Sequence, residues 1–320
     1  MNHDSTAIKA SPNQSVLTGR KRFARIKAYI PLYLMLAPAL IYVLINNYLP
    51  MGGLVLAFKQ FNAGKGIFGS EWNHFANFDF LLKNKNLPIF LRNTVCYNIV
   101  FILVNLIVGV FIALIITEIR GKRMRQFSQS IILFPFVVSI VIVSYMVRGF
   151  LDYNNGMFNA MIKAFGGTPI NWYMEKKYWP FILVFVSTWK GVGYGSLLYI
   201  AALLGIDPSL YEAAAISGAS RLQQIRYISI PYLIPTCVTV SLLSVGHIFN
   251  SDFGLFYQVP QNSGILSPVT QTIDTFVYKA MATNVGMSAA ASFFQSVGGL
   301  ILILFFNWLA RRVSRENALF

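Results

Sequence analysis

Lys190 is the only formal charge in the apolar run from Tyr178 to Leu204, with Trp189 before it and Tyr194 one helical turn beyond. His247, Asn250 and Asp252 place a second polar group in the run from Tyr232 to Phe253. A charge inside a membrane span costs about 3 kcal/mol on insertion scales, so such residues face a protein interior or a water-filled path. At about 1.5 Å per helical residue, Lys190 lies about 24 Å from the inner end of its run near Ile206. His247 falls at a similar height above Pro231, with Asn250 and Asp252 just beyond. Charged, amide and aromatic groups at one depth suit a sugar, which offers hydroxyls for hydrogen bonds and a C–H face for stacking. The same residues admit a structural reading. A Lys190–Asp252 ion pair would fix two helices, while Gly191, Gly193 and Gly195 allow close helix approach, Gly191 with Gly195 forming a GxxxG pair.

Bond-breaking chemistry has no foothold in the sequence. There is no G-x-x-x-x-G-K-[ST] phosphate loop, and GKGIF at 64–68 is a glycine-lysine turn. His3, His74 and His247 lack ligand spacing, no serine has a nucleophile-elbow context, and Cys96 and Cys237 sit in apolar stretches as buried thiols. The expectation is therefore a non-enzyme with no catalytic residue, cofactor or metal, supplied with energy by another subunit.

The elements that must position the polar groups are membrane helices. Of 320 residues 56% are hydrophobic and 12% charged, far too apolar for a soluble chain of this size. The net charge of +15 comes from lysines and arginines that flank hydrophobic runs, which indicates a bilayer and no nucleic acid. Residues 1–27 form a basic cytoplasmic tail, and no cleavable signal peptide precedes the first apolar run. Residues 28–91 hold the first span, about 28–49, ended by Pro50, Gly52 and Gly53, and then an extracytoplasmic loop whose first residues, LVLAFKQF, lie along the outer surface. Further spans are expected at about 92–118, 128–147, 178–204, 232–253 and 287–309. A cytoplasmic tail at 311–320 closes the chain.

The fold class is thus an all-α integral membrane protein with six transmembrane helices. The N-terminal tail, the 118–126 and 205–230 loops and the C-terminal tail hold 15 of the 26 basic residues, which puts them on the cytoplasmic side. Between spans four and five lies the polar segment 207–231. Asp207 is an N-cap with Pro208 at the first helical position, and Gly218 is the stop of a helix over 208–217. Gly218 ends it at a tight turn that requires positive φ. Ser220 and Gln223 form the capping box of a second helix, whose apolar side carries Ile225 and Ile228 before Pro231 opens the next hydrophobic run. Leu210, Ala213, Ala214 and Ser217 make a smooth face onto which another protein's groove could close.

The series Glu212-Ala213-Ala214, Gly218-Ala219, Ile228, Pro231 and Pro235 resembles the EAA loop of the membrane subunits of ABC importers. Ser217 departs from the acidic residue usual before the glycine. In that family the first helix of the loop is the coupling helix, seated in a cleft of the cytoplasmic ATPase. The resemblance therefore implies ATPase coupling for Tyr211, Glu212, Ala213, Ala214, Gly218, Ala219 and Pro231. PLYLMLAPALIYVLINNYLPM, the Asn93-Thr94 pair, NGMFN, PINWY and the closing segment from Thr272 to Arg312 resemble the sugar and complex-saccharide group of these permeases, with a transport core at about 92–310. The resemblance implies a multi-pass subunit of a prokaryotic cell membrane that carries a carbohydrate. Its partners would be a second permease, an ATPase dimer and an extracytoplasmic substrate-binding protein. Trp189, Lys190, Tyr194, His247, Asn250 and Asp252 are then the candidate substrate path. A permease for another solute keeps the EAA loop without the closing segment. A secondary transporter would need no ATPase and would show inverted repeats or relay carboxylates, which the sequence lacks.

Overall fold

The computed structural model describes residues 19–313. The expectations for residues 1–18 and for the tail beyond residue 313, Arg315 among them, lie outside the described residues. The chain divides into two units, residues 1–53 and 54–320. In the first, helix Gly19–Val43 runs into a π turn at Leu44–Tyr48, where Leu49 N–H donates to the Leu44 carbonyl. This wider turn lies just before Pro50, whose ring cannot follow an ordinary α turn. Pro50 does not end the helical path, since a 3₁₀ stretch continues it from Gly52 to Phe58. The apolar helical run long enough to cross a membrane is accordingly Tyr29–Phe58.

The second unit carries the core. Its long helices are Leu87–Glu118, Trp179–Leu204, Ile230–Gly246 and Val285–Val313. The third expected span is not one rod. Lys122–Val137 and Ile140–Leu151 meet at 90°. Pro135 lacks an N–H for the last turn of the first piece, and Ser139 restarts the helix by accepting from Val141 N–H. Among the described residues five helices are long and apolar enough to span a membrane, or six if the bent pair counts as one.

Helix five also departs from expectation. It begins at Arg221–Gln224, passes through a π turn at Ile225–Ser229 that accommodates Pro231, and stops at Gly246. It falls short of Phe253. Asn98 on the second span donates to the carbonyls of Ile248 and Asn250, both at 2.8 Å, and so satisfies the non-helical backbone after the break.

Buried amides organise the loops in the same way. Asn159 of NGMFN is fully buried and donates to the carbonyls of Asp152, Tyr153 and Ile170, while its Oδ1 accepts from Ile170 N–H and from the Trp172 indole. One side chain therefore locks NGMFN to PINWY. Asn93 donates to the carbonyls of Pro268 and Gln271, and Thr94 Oγ1 accepts from Ile273 N–H. The Asn-Thr pair thus clamps the short helices Ser267–Thr270 and Ile273–Met281 onto the second span. A small antiparallel pair, Lys59–Gln60 with Glu71–Trp72, sets Lys59 opposite Trp72 in the loop before Leu87.

Two apolar clusters grip the second and fourth spans at different heights. One holds Tyr97, Leu183, Val186 and Phe256, and the other Ala113, Ile116, Tyr199 and Leu203. Between them along the same helices lie residues 98–106 and 187–198.

Candidate functional site

Those intermediate turns line an open cavity of about 540 Å³ within the second unit, lined on other sides by Phe136 and Ile140 at the helix break and by residues between 240 and 255. Five of the six expected path residues reach it: Lys190, Tyr194, His247, Asn250 and Asp252. Trp189 does not. It points to the other side of its helix and packs, half-buried, against the cluster around Leu183 and Phe256.

The positions of the five follow from the broken helices. Tyr194 stacks on Phe136 at 4.6 Å between ring centres with planes 10° apart, and both rings are exposed to the cavity. Lys190 Nζ donates to the carbonyls of Phe136 at 3.0 Å and Val138 at 2.6 Å. These carbonyls lie where the bent pair changes direction, so the ammonium caps a helix end that has no turn beyond it. No ion pair joins Lys190 to Asp252 among the described residues. Asp252 is occupied otherwise, its Oδ1 accepting from Leu255 N–H as N-cap of Phe253–Gln258. His247 closes the C-terminal end of helix five, and Asn250 and Asp252 stand on the connecting segment, so neither belongs to that helix as the sequence suggested.

Several lining groups carry no charge signal and were not singled out from sequence. Asn98, Asn105, Phe136, Ser187, Ser241 and Ser244 face the cavity. Asn98 and Asn105 are seven residues apart, and Ser241, Ser244 and His247 advance in steps of three, so each set forms a polar stripe on one helix face. Asn105 Oδ1 is buried without a hydrogen-bond partner among the described residues. Behind the cavity, Asp274 Oδ2 accepts from Ser251 N–H at 2.6 Å, from Ser251 Oγ at 2.8 Å and from Gln295 at 3.2 Å, which stiffens the segment bearing Asn250 and Asp252. The lining offers hydrogen-bond donors, acceptors and an aromatic face, and among the described residues no His, Cys, Asp or Glu cluster could hold a metal ion.

The second feature is the segment after the fourth span. Helix Pro208–Ile216 has no buried residue. Asp207 accepts from Ser209 N–H at 2.9 Å, and that backbone bond holds its carboxyl below the usual aspartate range. At the other end Gly218 takes φ +80°. Gly218 N–H donates to the Ala215 carbonyl and Ala219 N–H to that of Ala214, the paired bonds of a Schellman stop. The Ser220–Gln223 capping box forms, Gln223 N–H donating to Ser220 Oγ and Ser220 N–H to Gln223 Oε1. Tyr211 and Ser229 hydroxyls meet at 2.9 Å and tie the two helices together. Glu212 and Ala213 are exposed, as are Ile216 at 89% and Leu222 at 75%, and Pro231 is exposed on helix five. A rigid, doubly capped helix therefore presents apolar and small groups outward.

Residues 93–315 match the model described as binding-protein-dependent transport system inner membrane component. The polygalacturonan/rhamnogalacturonan transport system permease protein YteP of Bacillus subtilis (strain 168) is 31% identical over 288 residues, covering 89% of each chain. A chain of a bacterial ABC transporter involved in the import of the acidic polysaccharide alginate superposes with TM-score 0.82 at 29% identity, covering 92% of this chain and 99% of its own. The bacterial alginate ABC transporter in complex with alginate pentasaccharide-bound periplasmic protein matches with TM-score 0.81, again at 29% identity, over 91% and 98%.

Proposed function

The chain belongs to the family of inner membrane components of binding-protein-dependent transport systems, and from that premise we propose that it is a permease subunit of a carbohydrate ABC importer. Together with a second, homologous permease it encloses the path of an oligosaccharide or polysaccharide fragment. An extracytoplasmic binding protein delivers the sugar, and a cytoplasmic ATPase dimer supplies the energy. The relative named for polygalacturonan transport and the alginate importer crystallised with its binding protein support both the cargo class and the assembly.

In this reading the protein crosses the prokaryotic cell membrane six times, with both termini and the 207–231 segment on the cytoplasmic side. A basic tail (1–27) and a first-span region (28–91) precede the transport core (92–310), and a short tail (311–320) follows. Tyr211, Glu212, Ala213, Ala214, Gly218, Ala219 and Pro231 form the seat of the ATPase. Lys190, Tyr194, His247, Asn250 and Asp252 line the sugar path, and Trp189 supports it from behind. The observation that carries the assignment is the cavity itself, in which amides, hydroxyls and a stacked aromatic pair from the broken helices converge at one level.

Co-purification of the chain with its ATPase, followed by uptake of a panel of labelled saccharides into vesicles holding the whole complex, tests the proposal. ATP-dependent entry of at least one saccharide is expected. Uptake that persists without the ATPase would overturn it.

A further inference from the structure

We propose that the Lys190 ammonium reads a negative charge on the transported saccharide, so that the cavity favours sugars bearing a uronate carboxylate over neutral ones. The inference rests on the cavity being the sugar path and names the class of sugar.

The argument starts from what Lys190 lacks. Its two bonds go to the carbonyls of Phe136 and Val138, which fix its position yet neutralise no charge. An ammonium has three donors, so one N–H remains for another partner. None of the ion pairs among the described residues involves Lys190. The acid lining the same cavity, Asp252, is turned to the start of its own helix and accepts from Leu255 N–H. A lysine held half-buried among membrane helices by neutral dipoles alone is stabilised further by any anion that enters beside it.

The surroundings fit a sugar acid better than a free inorganic anion. Lys190 Nζ lies 5.8 Å from the Phe136 ring centre, and Phe136 is stacked with Tyr194. A pyranose lying on that aromatic face brings its ring substituents toward the ammonium, while the Asp252 carboxylate and the serine hydroxyls remain for its hydroxyl groups. Charge, stacking surface and hydroxyl partners thus occur together on one wall.

Lys190→Gln separates charge from hydrogen bonding, because it leaves a neutral N–H donor, on a side chain one bond shorter, facing the Phe136 and Val138 carbonyls. The complete importer, with partner permease, ATPase and binding protein, is reconstituted in vesicles and offered a trigalacturonate and a neutral trisaccharide. The wild type is expected to import the acid. Lys190→Gln should assemble normally and lose about tenfold in the ratio of acid to neutral uptake, the cost of one missing hydrogen bond to a charged group. Lys190→Arg should retain the acid. An undiminished acid-to-neutral ratio in Lys190→Gln overturns the inference, as does a wild type that imports neutral saccharides but no uronide, and in that second case the carbohydrate-permease reading stands. Absence of uptake for every saccharide with all partners present removes both.

Discussion

Gly191, Gly193 and Gly195 lie within two turns of one helix, yet a methyl group added at each meets different surroundings. At Gly193 it would collide with the Ile132 carbonyl, whereas at Gly191 and Gly195 it meets nothing within 4 Å. The close helix approach expected of all three therefore belongs to Gly193. Gly191 and Gly195 line the cavity instead. Gly193→Ala should destabilise the packing of Lys122–Val137 against the fourth span by about 1–3 kcal/mol, seen as a lower melting temperature of the purified chain. Gly191→Leu should leave that temperature unchanged and obstruct sugar uptake. Asn98→Ala should cost about 1–3 kcal/mol, since two carbonyls after the helix-five break lose their donor, and thermal unfolding of the detergent-solubilised protein measures it. At this scale the sequence discloses Lys190 and Asp252 because a charge in an apolar run is conspicuous. It does not disclose their partners. Lys190 finds carbonyls freed by a helix break, and Phe136, one of 27 phenylalanines, bears no mark of its stacking role.

The helix at 208–216 shows what local chemistry can specify at the scale of the element. Its N-cap, its positive-φ glycine and the following capping box all act within a few residues, so each was legible from residue types and spacing and each forms. The end of helix five was not legible, because Gly246 is where Asn98, about 150 positions away in sequence, takes over the backbone. The bend at Val138–Ser139 does have local signals, Pro135 and the N-cap Ser139, but they lie inside a stretch apolar enough to read as one straight span. The depressed carboxyl of Asp207 gives a pH prediction with a definite sign. A lowered folded-state pKa contributes stability above the ordinary aspartate value and loses it as pH falls through the lowered value. Hydrogen exchange at the amide of Ser209 should therefore accelerate, relative to its intrinsic rate, on acidification through that range in the wild type, whereas Asp207→Asn, whose amide oxygen still caps the helix, should stay protected with no pH dependence beyond the intrinsic rate.

For the molecule as a whole, the proposed function makes the 208–216 helix a cytoplasmic lever that works with the polar cavity as one machine. The fourth span joins them directly, running from Lys190 and Tyr194 in the cavity to Leu204, four residues before Pro208. Cysteine labelling at positions 123, 220 and 315 should report the cytoplasm, and labelling at 62, 155 and 262 the outside. A label at 220 reached from the outside would detach the lever from any ATPase. The most direct test is ATP-driven sugar uptake by the reconstituted complex carrying Gly218→Val. A β-branched residue at φ +80° is strained by about 1–2 kcal/mol, and nothing near Gly218 would otherwise resist the side chain, so the lesion falls on the turn that orients the lever. Normal membrane insertion and assembly with uptake abolished is expected, and wild-type uptake by Gly218→Val would show that the 208–216 helix does not couple the ATPase to transport.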